Sequence, residues 1–335
     1  MRDEANERAR RTAVETTARM VGHGKVILFG EHAVVYGRRA VALATGPGCE
    51  AWARPALPGE PDSLTLWPFG TRVWFESNGR RQFEPAADES EYSRVLRLSF
   101  ATAWAGAPSP RPSMAIEARL LLPSGAGLGS SAALSVAVAR AIDQVLGQQR
   151  DDGALVEASV RWEQVCHGNP SGVDSALAVY GGALEFRRGA PPVSLRDVTL
   201  PPLVVGNVGP APSTRIMVER VAANHRRDPE GSERLFDAID SLADAGRNAL
   251  MARDWQQLGA LMLENHERLV QLELSTGRLD DACRLAMAHG ALGAKLTGGG
   301  GGGCMIALCP DPPAAARLQT VMAEQGLDAF TLGGA

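Results

Sequence analysis

The chain has 335 residues, 45% of them apolar. That is room for about two domains with buried cores, and it excludes disorder as the dominant state. The net charge of −4, from 34 basic and 38 acidic residues, excludes a dedicated nucleic-acid binder. The longest apolar stretches, such as 132–139, fall well short of the ~20 residues a membrane span needs.

Residues 1–20 mix Arg2, Arg8, Arg10 and Arg11 with Asp3, Glu4, Glu7 and Glu15. They contain no apolar h-region, so the reading is an N-terminal extension and not a secretory signal. Residues 24–29 read as a short buried strand, broken by Gly30-Glu31-His32, and 41–44 as a second strand. The stretch 45–112 is rich in Pro and Gly and reads as irregular. Within it, 63–67 and 72–75 are candidate strands and Glu91–Trp104 a helix. Over Met114–Leu120 apolar and polar residues alternate, as in a half-buried strand. Helices are expected over 131–146 and 154–166, and Asp174 falls on a short helix that restarts after Pro170. Strands are expected at 183–186 and 203–208. The proline-rich stretch 189–202 suggests a division into domains 21–195 and 196–335. Further helices are expected at 213–224, 233–252 (with Ser232 as N-cap), 255–274, 278–289 and 313–324, and strands at Cys304–Leu308 and 329–332. The alternation predicts an α+β fold with two lobes.

The five cysteines, Cys49, Cys166, Cys283, Cys304 and Cys309, form no CxxC pair. Neither a disulfide framework nor a zinc ribbon is indicated, and the expectation is a reduced, soluble, cytoplasmic protein. Only two of the basic residues are lysine, Lys25 and Lys295, and both stand beside glycine-rich segments.

Three segments carry chemistry. Gly125-Ala126-Gly127-Leu128-Gly129-Ser130-Ser131 lies between a strand and a helix. Its glycines let backbone amides approach a ligand, and the helix N-terminus adds partial positive charge, which together bind phosphate. It is neither a P-loop, since no Lys-Ser or Lys-Thr occurs, nor a dinucleotide fingerprint, since Ser130 occupies the last position. The run Gly298, Gly299, Gly300 to Gly303, preceded by Lys295 and Thr297, has a large ordering cost and points to close backbone approach to a ligand or another loop. Glu163 and Asp174 flank the turn Gly168-Asn169-Pro170; two carboxylates near phosphate suit magnesium binding and positioning of a hydroxyl. Cys166-His167 with His32 lacks the spacing of a metal cage.

Together these segments resemble the three motifs of the GHMP small-molecule kinases. Gly24-Lys25-Val26-Ile27-Leu28-Phe29-Gly30-Glu31-His32 through Gly37 is similar to the first, Pro123 through Ala133 to the second, and Lys295-Leu296-Thr297 through Cys304 to the third. His167-Gly168-Asn169-Pro170-Ser171-Gly172-Val173-Asp174 resembles the mevalonate kinase branch most closely. The resemblance implies a two-lobe GHMP kinase fold with ATP between the lobes. It implies phosphorylation of the mevalonate 5-hydroxyl by Mg-ATP, in isoprenoid precursor synthesis, with no nucleic acid or membrane partner; a homodimer stays open, and the alternatives are a GHMP kinase acting on phosphomevalonate, galactose or homoserine, or a non-catalytic sensor of the same fold. By position it makes Asp174 the catalytic carboxylate and Lys25 the lysine that offsets charge at the transferring phosphate. It makes Ser131 and Glu163 magnesium ligands, 125–131 the phosphate loop, and Glu31, His32, Asp174 and Thr214 the substrate side. Three departures stand out: Gly22-His23 replaces a common Ala-Pro, Leu134 replaces a frequent tyrosine, and Gly209-Pro210-Ala211-Pro212-Ser213 lacks the basic residues often found before Thr214-Arg215.

Overall fold

The computed structural model describes residues 18–75, 90–104, 111–122, 126–168 and 170–332. Gly125, Asn169 and nearly all of the N-terminal extension lie outside the described residues. The chain forms two compact units that interleave along the sequence. One comprises Met1–Gly24, Pro47–Leu122 and Gly129–Pro170, the other Lys25–Gly46, Pro123–Leu128 and Ser171–Ala335.

The elements are β1 (Met20–Phe29), a 3-10 turn (Ala33–Tyr36), β2 (Arg39–Pro55), β3 (Asp62–Trp67), β4 (Thr71–Phe75), α1 (Glu91–Trp104) and β5 (Met114–Leu120). Then come α2 (Ser130–Leu146), α3 (Asp152–His167), α4 (Val173–Tyr180), β6 (Ala183–Arg187), β7 (Val193–Ser194) and β8 (Leu203–Asn207). The chain continues with α5 (Thr214–Arg227), α6 (Pro229–Ala252), α7 (Trp255–Gln271), α8 (Gly277–Ala288), β9 (Gly293–Thr297), β10 (Cys304–Leu308), α9 (Pro312–Glu324) and β11 (Asp328–Leu332). The fold is the expected mixture of helices and sheets.

In the first unit β5 lies between β3, parallel to it, and the second half of β2, antiparallel to it; β4 closes the far edge. Helices α1, α2 and α3 supply Leu96, Phe100, Leu134, Val138, Ile142 and Trp162 to its core. In the second unit the first half of β2 pairs with β6, and β6 with β7. A separate antiparallel sheet runs β11-β8-β10-β9, and Phe236, Ile239, Leu269, Leu279, Leu296 and Met305 are in the core formed with it.

Three expectations need correction. β2 does not end near Ala44 but runs to Pro55, so the irregular stretch begins eleven residues later. Gly46-Pro47-Gly48 reads as a break, yet the strand changes partner there, from β6 to β5, so pairing carries it across. Ser232 is not an N-cap: α6 starts at Pro229, and Asp228 accepts from the Gly231 amide. Proline at the first helical position and an aspartate before it make the stronger start signal. Strand β1 also begins earlier than residue 24. Gly22 packs there so closely on α2 that a Cβ would stand 2.0 Å from the Ala133 carbonyl oxygen, which accounts for glycine at that departure.

Candidate active site

The second unit gathers the sequence-predicted residues Lys25, Ala126–Leu128, Asp174 and the third glycine segment. The Lys25 amide donates to the Leu128 carbonyl at 2.9 Å, tying β1 to the loop. The Lys25 side chain is buried, and its Nζ lies 3.2 Å from Asp174 Oδ1, whose side chain keeps 32% of its exposure. Asp174 sits in the first turn of α4, which begins after Gly172 in the left-handed region. One carboxylate oxygen therefore faces a buried cation while the group still reaches solvent.

The glycine-rich segment is a backbone-packed loop. Gly300 has φ +73°, and a Cβ there would meet the Leu274 carbonyl oxygen at 2.4 Å; at Gly302 one would meet the Pro210 oxygen at 2.4 Å. The Gly301 amide donates to Leu274 and the Gly303 amide to Gly209. Gly298 and Gly303 approach Gly127 and Ala126 so closely that added Cβ atoms would lie 3.1 and 3.2 Å from their carbonyl oxygens. The glycines thus serve close approach to other loops, the phosphate-loop residues among them. The side-chain-poor segment 209–212 is part of the surface they pack on. Thr214, exposed at the start of α5, stands beside Gly299, where a Cβ would lie 3.7 Å from its Oγ1.

Glu31 and His32 follow β1. His32 is buried with φ +58°, and its Nε2 lies 2.9 Å from the Gly299 carbonyl oxygen. A carbonyl only accepts, so Nε2 carries the proton. Burial pushes the His32 pKa down; the Gly299 bond opposes this and Lys25 adds to it. Glu31 is 0% exposed and pairs with Lys295 Nζ, also 0% exposed. Its other oxygen accepts from Asn265 Nδ2 at 3.2 Å. Asn265 was not foreseen: an asparagine inside an amphipathic helix pattern gives no signal of what it faces.

Ser131 and Glu163 belong to the first unit. Helix α2 starts at Ser130 after Gly129, which is left-handed and gives no side-chain cap, so its first amides are not bonded by a capping side chain. Ser131 Oγ donates to Cys166 Sγ at 3.4 Å, and Cys166 is one turn beyond Glu163 on α3. Glu163 is buried with His167 Nε2 3.6 Å away. Ser131 therefore faces the side of α3 that carries Glu163. A hydroxyl and a carboxylate are the hard oxygen donors that Mg²⁺ takes when phosphate and water complete its shell. Among the described residues no group of three or more His, Cys, Asp or Glu side chains could hold a metal by protein ligands alone. Leu134, the departure from tyrosine, is buried in this unit's core.

The sequence model described as "GHMP kinases N terminal domain" matches residues 95–182, and that described as "GHMP kinases C terminal" matches 247–328. A mevalonate kinase of Thermococcus onnurineus is 32% identical over 305 residues, covering 86% of this chain and 87% of that protein. Among solved structures, the Methanococcus jannaschii mevalonate kinase aligns with TM-score 0.81 at 24% identity, over 96% of this chain and 99% of that one. The L. major mevalonate kinase, solved in complex with R-mevalonate, aligns with TM-score 0.75 at 27% identity, over 96% and 97%. No helix among the described residues is long and apolar enough to cross a membrane.

Proposed function

We infer the reaction from one premise: the chain belongs to the GHMP kinase family. It is an ATP-dependent small-molecule kinase, and its acceptor is mevalonate, phosphorylated on the 5-hydroxyl to give 5-phosphomevalonate and ADP. The observation that carries the reading is the Lys25–Asp174 pair at 3.2 Å, set beside the phosphate loop by the Lys25–Leu128 backbone bond.

Phosphoryl transfer has a loose transition state, so the protein's work is positioning and charge stabilisation. Asp174 orients the acceptor hydroxyl and takes its proton as the new O–P bond forms and the bond to the β-phosphate oxygen breaks. Lys25 offsets charge on the γ-phosphate and on Asp174. Lysine suits that place, because a compact ammonium fits where a planar fork does not. The amides of Ala126 to Ser131 and the start of α2 bind the nucleotide phosphates. Ser131 and Glu163 would hold Mg²⁺, which when bound screens the β- and γ-phosphates. His32, Asp174 and Thr214 form the substrate side; Glu31, expected there, is fully buried against Lys295 and Asn265 and supports that side from behind. The family division into an N-terminal part, 21–195, and a C-terminal part, 196–335, goes with this reading.

The test is coupled ADP release with Mg-ATP against mevalonate, phosphomevalonate, galactose and homoserine. Turnover that depends on mevalonate alone is expected. Turnover with another acceptor would keep the phosphoryl-transfer site and overturn the acceptor.

A further inference from the structure

Lys295 stands three residues before the glycine-rich loop, where a phosphate-binding lysine would be looked for. Its surroundings give it other work. An ammonium has three donors. Those of Lys295 have three acceptors inside the second unit: Glu31 Oε1, the Leu296 carbonyl at 2.7 Å and the Ile27 carbonyl at 3.5 Å. Its side chain is 0% exposed, and Glu31, equally buried, has its second oxygen on Asn265. All three Lys295 donors are used within the protein, both Glu31 oxygens are engaged, and neither side chain is open to solvent.

The same strand makes a second attachment. Thr297 Oγ1 accepts from the Ile27 amide at 2.9 Å and donates to the Ile27 carbonyl at 3.0 Å. One hydroxyl thus satisfies both main-chain groups of a residue two positions from Lys25. Behind β9, helix α7 packs with Gly259 and Gly293 in backbone contact, so the strand cannot shift without displacing the helix; an added Cβ at Gly293 would lie 2.2 Å from the Gly259 oxygen. On the far side of Ile27, Glu31 is next to His32, which holds Gly299. A buried ion pair adds little net stability compared with apolar side chains of similar volume. Its value lies in the geometry it enforces.

We propose that Lys295 is a positioning residue for phosphoryl transfer: with Thr297 it clamps β1 at Ile27 and Glu31, and so fixes Lys25 against Asp174 and His32 against the glycine-rich loop. This rests on the kinase reading of the site but not on the identity of the acceptor. Lys295 does not touch nucleotide or acceptor.

Steady-state kinetics of the double variant Lys295→Met/Glu31→Gln test it, because removing both charges avoids a lone buried ion. The expected result is a folded protein whose kcat falls about a hundredfold, the effect of a misplacement of ~1 Å, while KM for ATP and acceptor stays near the wild-type value. A kcat restored to the wild-type value overturns the proposal and leaves the pair a packing feature. A raised KM for ATP at unchanged kcat also overturns it and makes Lys295 a ligand contact. Should the double variant not fold, Thr297→Val and Thr297→Ser give the same reading. The valine variant, which keeps the shape and loses both Ile27 bonds, is expected to lose kcat selectively, and the serine variant to recover it. Equal kcat in the two would sink the clamp. The ratios are read with whichever acceptor the wild-type protein turns over, so a wrong acceptor leaves this test intact.

Discussion

Asp174→Asn separates catalysis from stability at the reacting centre. The substitution keeps the shape and removes the charge that faces Lys25 at 3.2 Å. At an effective dielectric of about 20 that attraction is ~5 kcal/mol before solvent is counted. Asp174 keeps 32% of its side-chain exposure, so water screens much of it, and we expect ~1–2 kcal/mol of lost stability. The kinetic effect is larger. A positioned acid–base group is worth ~10²–10⁴ in rate, or ~3–5 kcal/mol of barrier. Coupled ADP release at saturating substrates, with Tm measured on the same preparation, should show kcat down by that factor in a protein that remains folded. KM for ATP should move far less, because Asp174 acts on the acceptor. A variant with near-normal kcat would remove Asp174 from the chemistry and with it the mechanism proposed here.

Lys25→Arg should impair turnover although the charge is kept, since the buried Nζ site beside Asp174 accepts a point charge and not a fork; full activity would refute that reading. Gly300→Ala should destabilise the protein by about 2–3 kcal/mol, because φ is +73° and the new Cβ would meet the Leu274 oxygen at 2.4 Å. Urea unfolding measures this, and an unchanged midpoint would mean that the loop gives way easily. Burial lowers the pKa of both His32 and His266 from 6.5, so the unfolded chain binds more protons below that pH. Their contribution to stability is therefore complete above ~6.5 and is lost as pH falls toward the folded values. Unfolding at pH 7.5 and 5.5 should show a drop that His32→Asn/His266→Asn reduces, and equal pH dependence in the two proteins would contradict it.

Much of this was legible in the sequence because the signals were local. Helix Glu91–Trp104 and strand Met114–Leu120 appear with the bounds their periodicity suggests. The loop into α2 and the short helix carrying Asp174 lie where turn residues place them. What escaped depends on partners distant in the chain. Gly46-Pro47-Gly48 carries a strand through because β6 and β5 pair on either side of it. The Glu31–Lys295 pair joins residues 264 positions apart, and no spacing rule connects them. Their one trace in the sequence is compositional: in a chain that uses arginine almost everywhere, both lysines turn out to be buried, at 5% and 0% exposure. Asp62, buried under Arg111 and the Met114 amide, left no trace, because an aspartate after Pro61 reads as a surface turn.

The most direct measurement is analysis of the product itself. The protein would be incubated with mevalonate and Mg-ATP, and the product examined by mass and by ³¹P NMR with proton coupling. A phosphate monoester coupled to one CH₂ group, formed in equal amount to ADP, is the predicted result. ADP accompanied by inorganic phosphate, with mevalonate unchanged, would contradict transfer to the 5-hydroxyl.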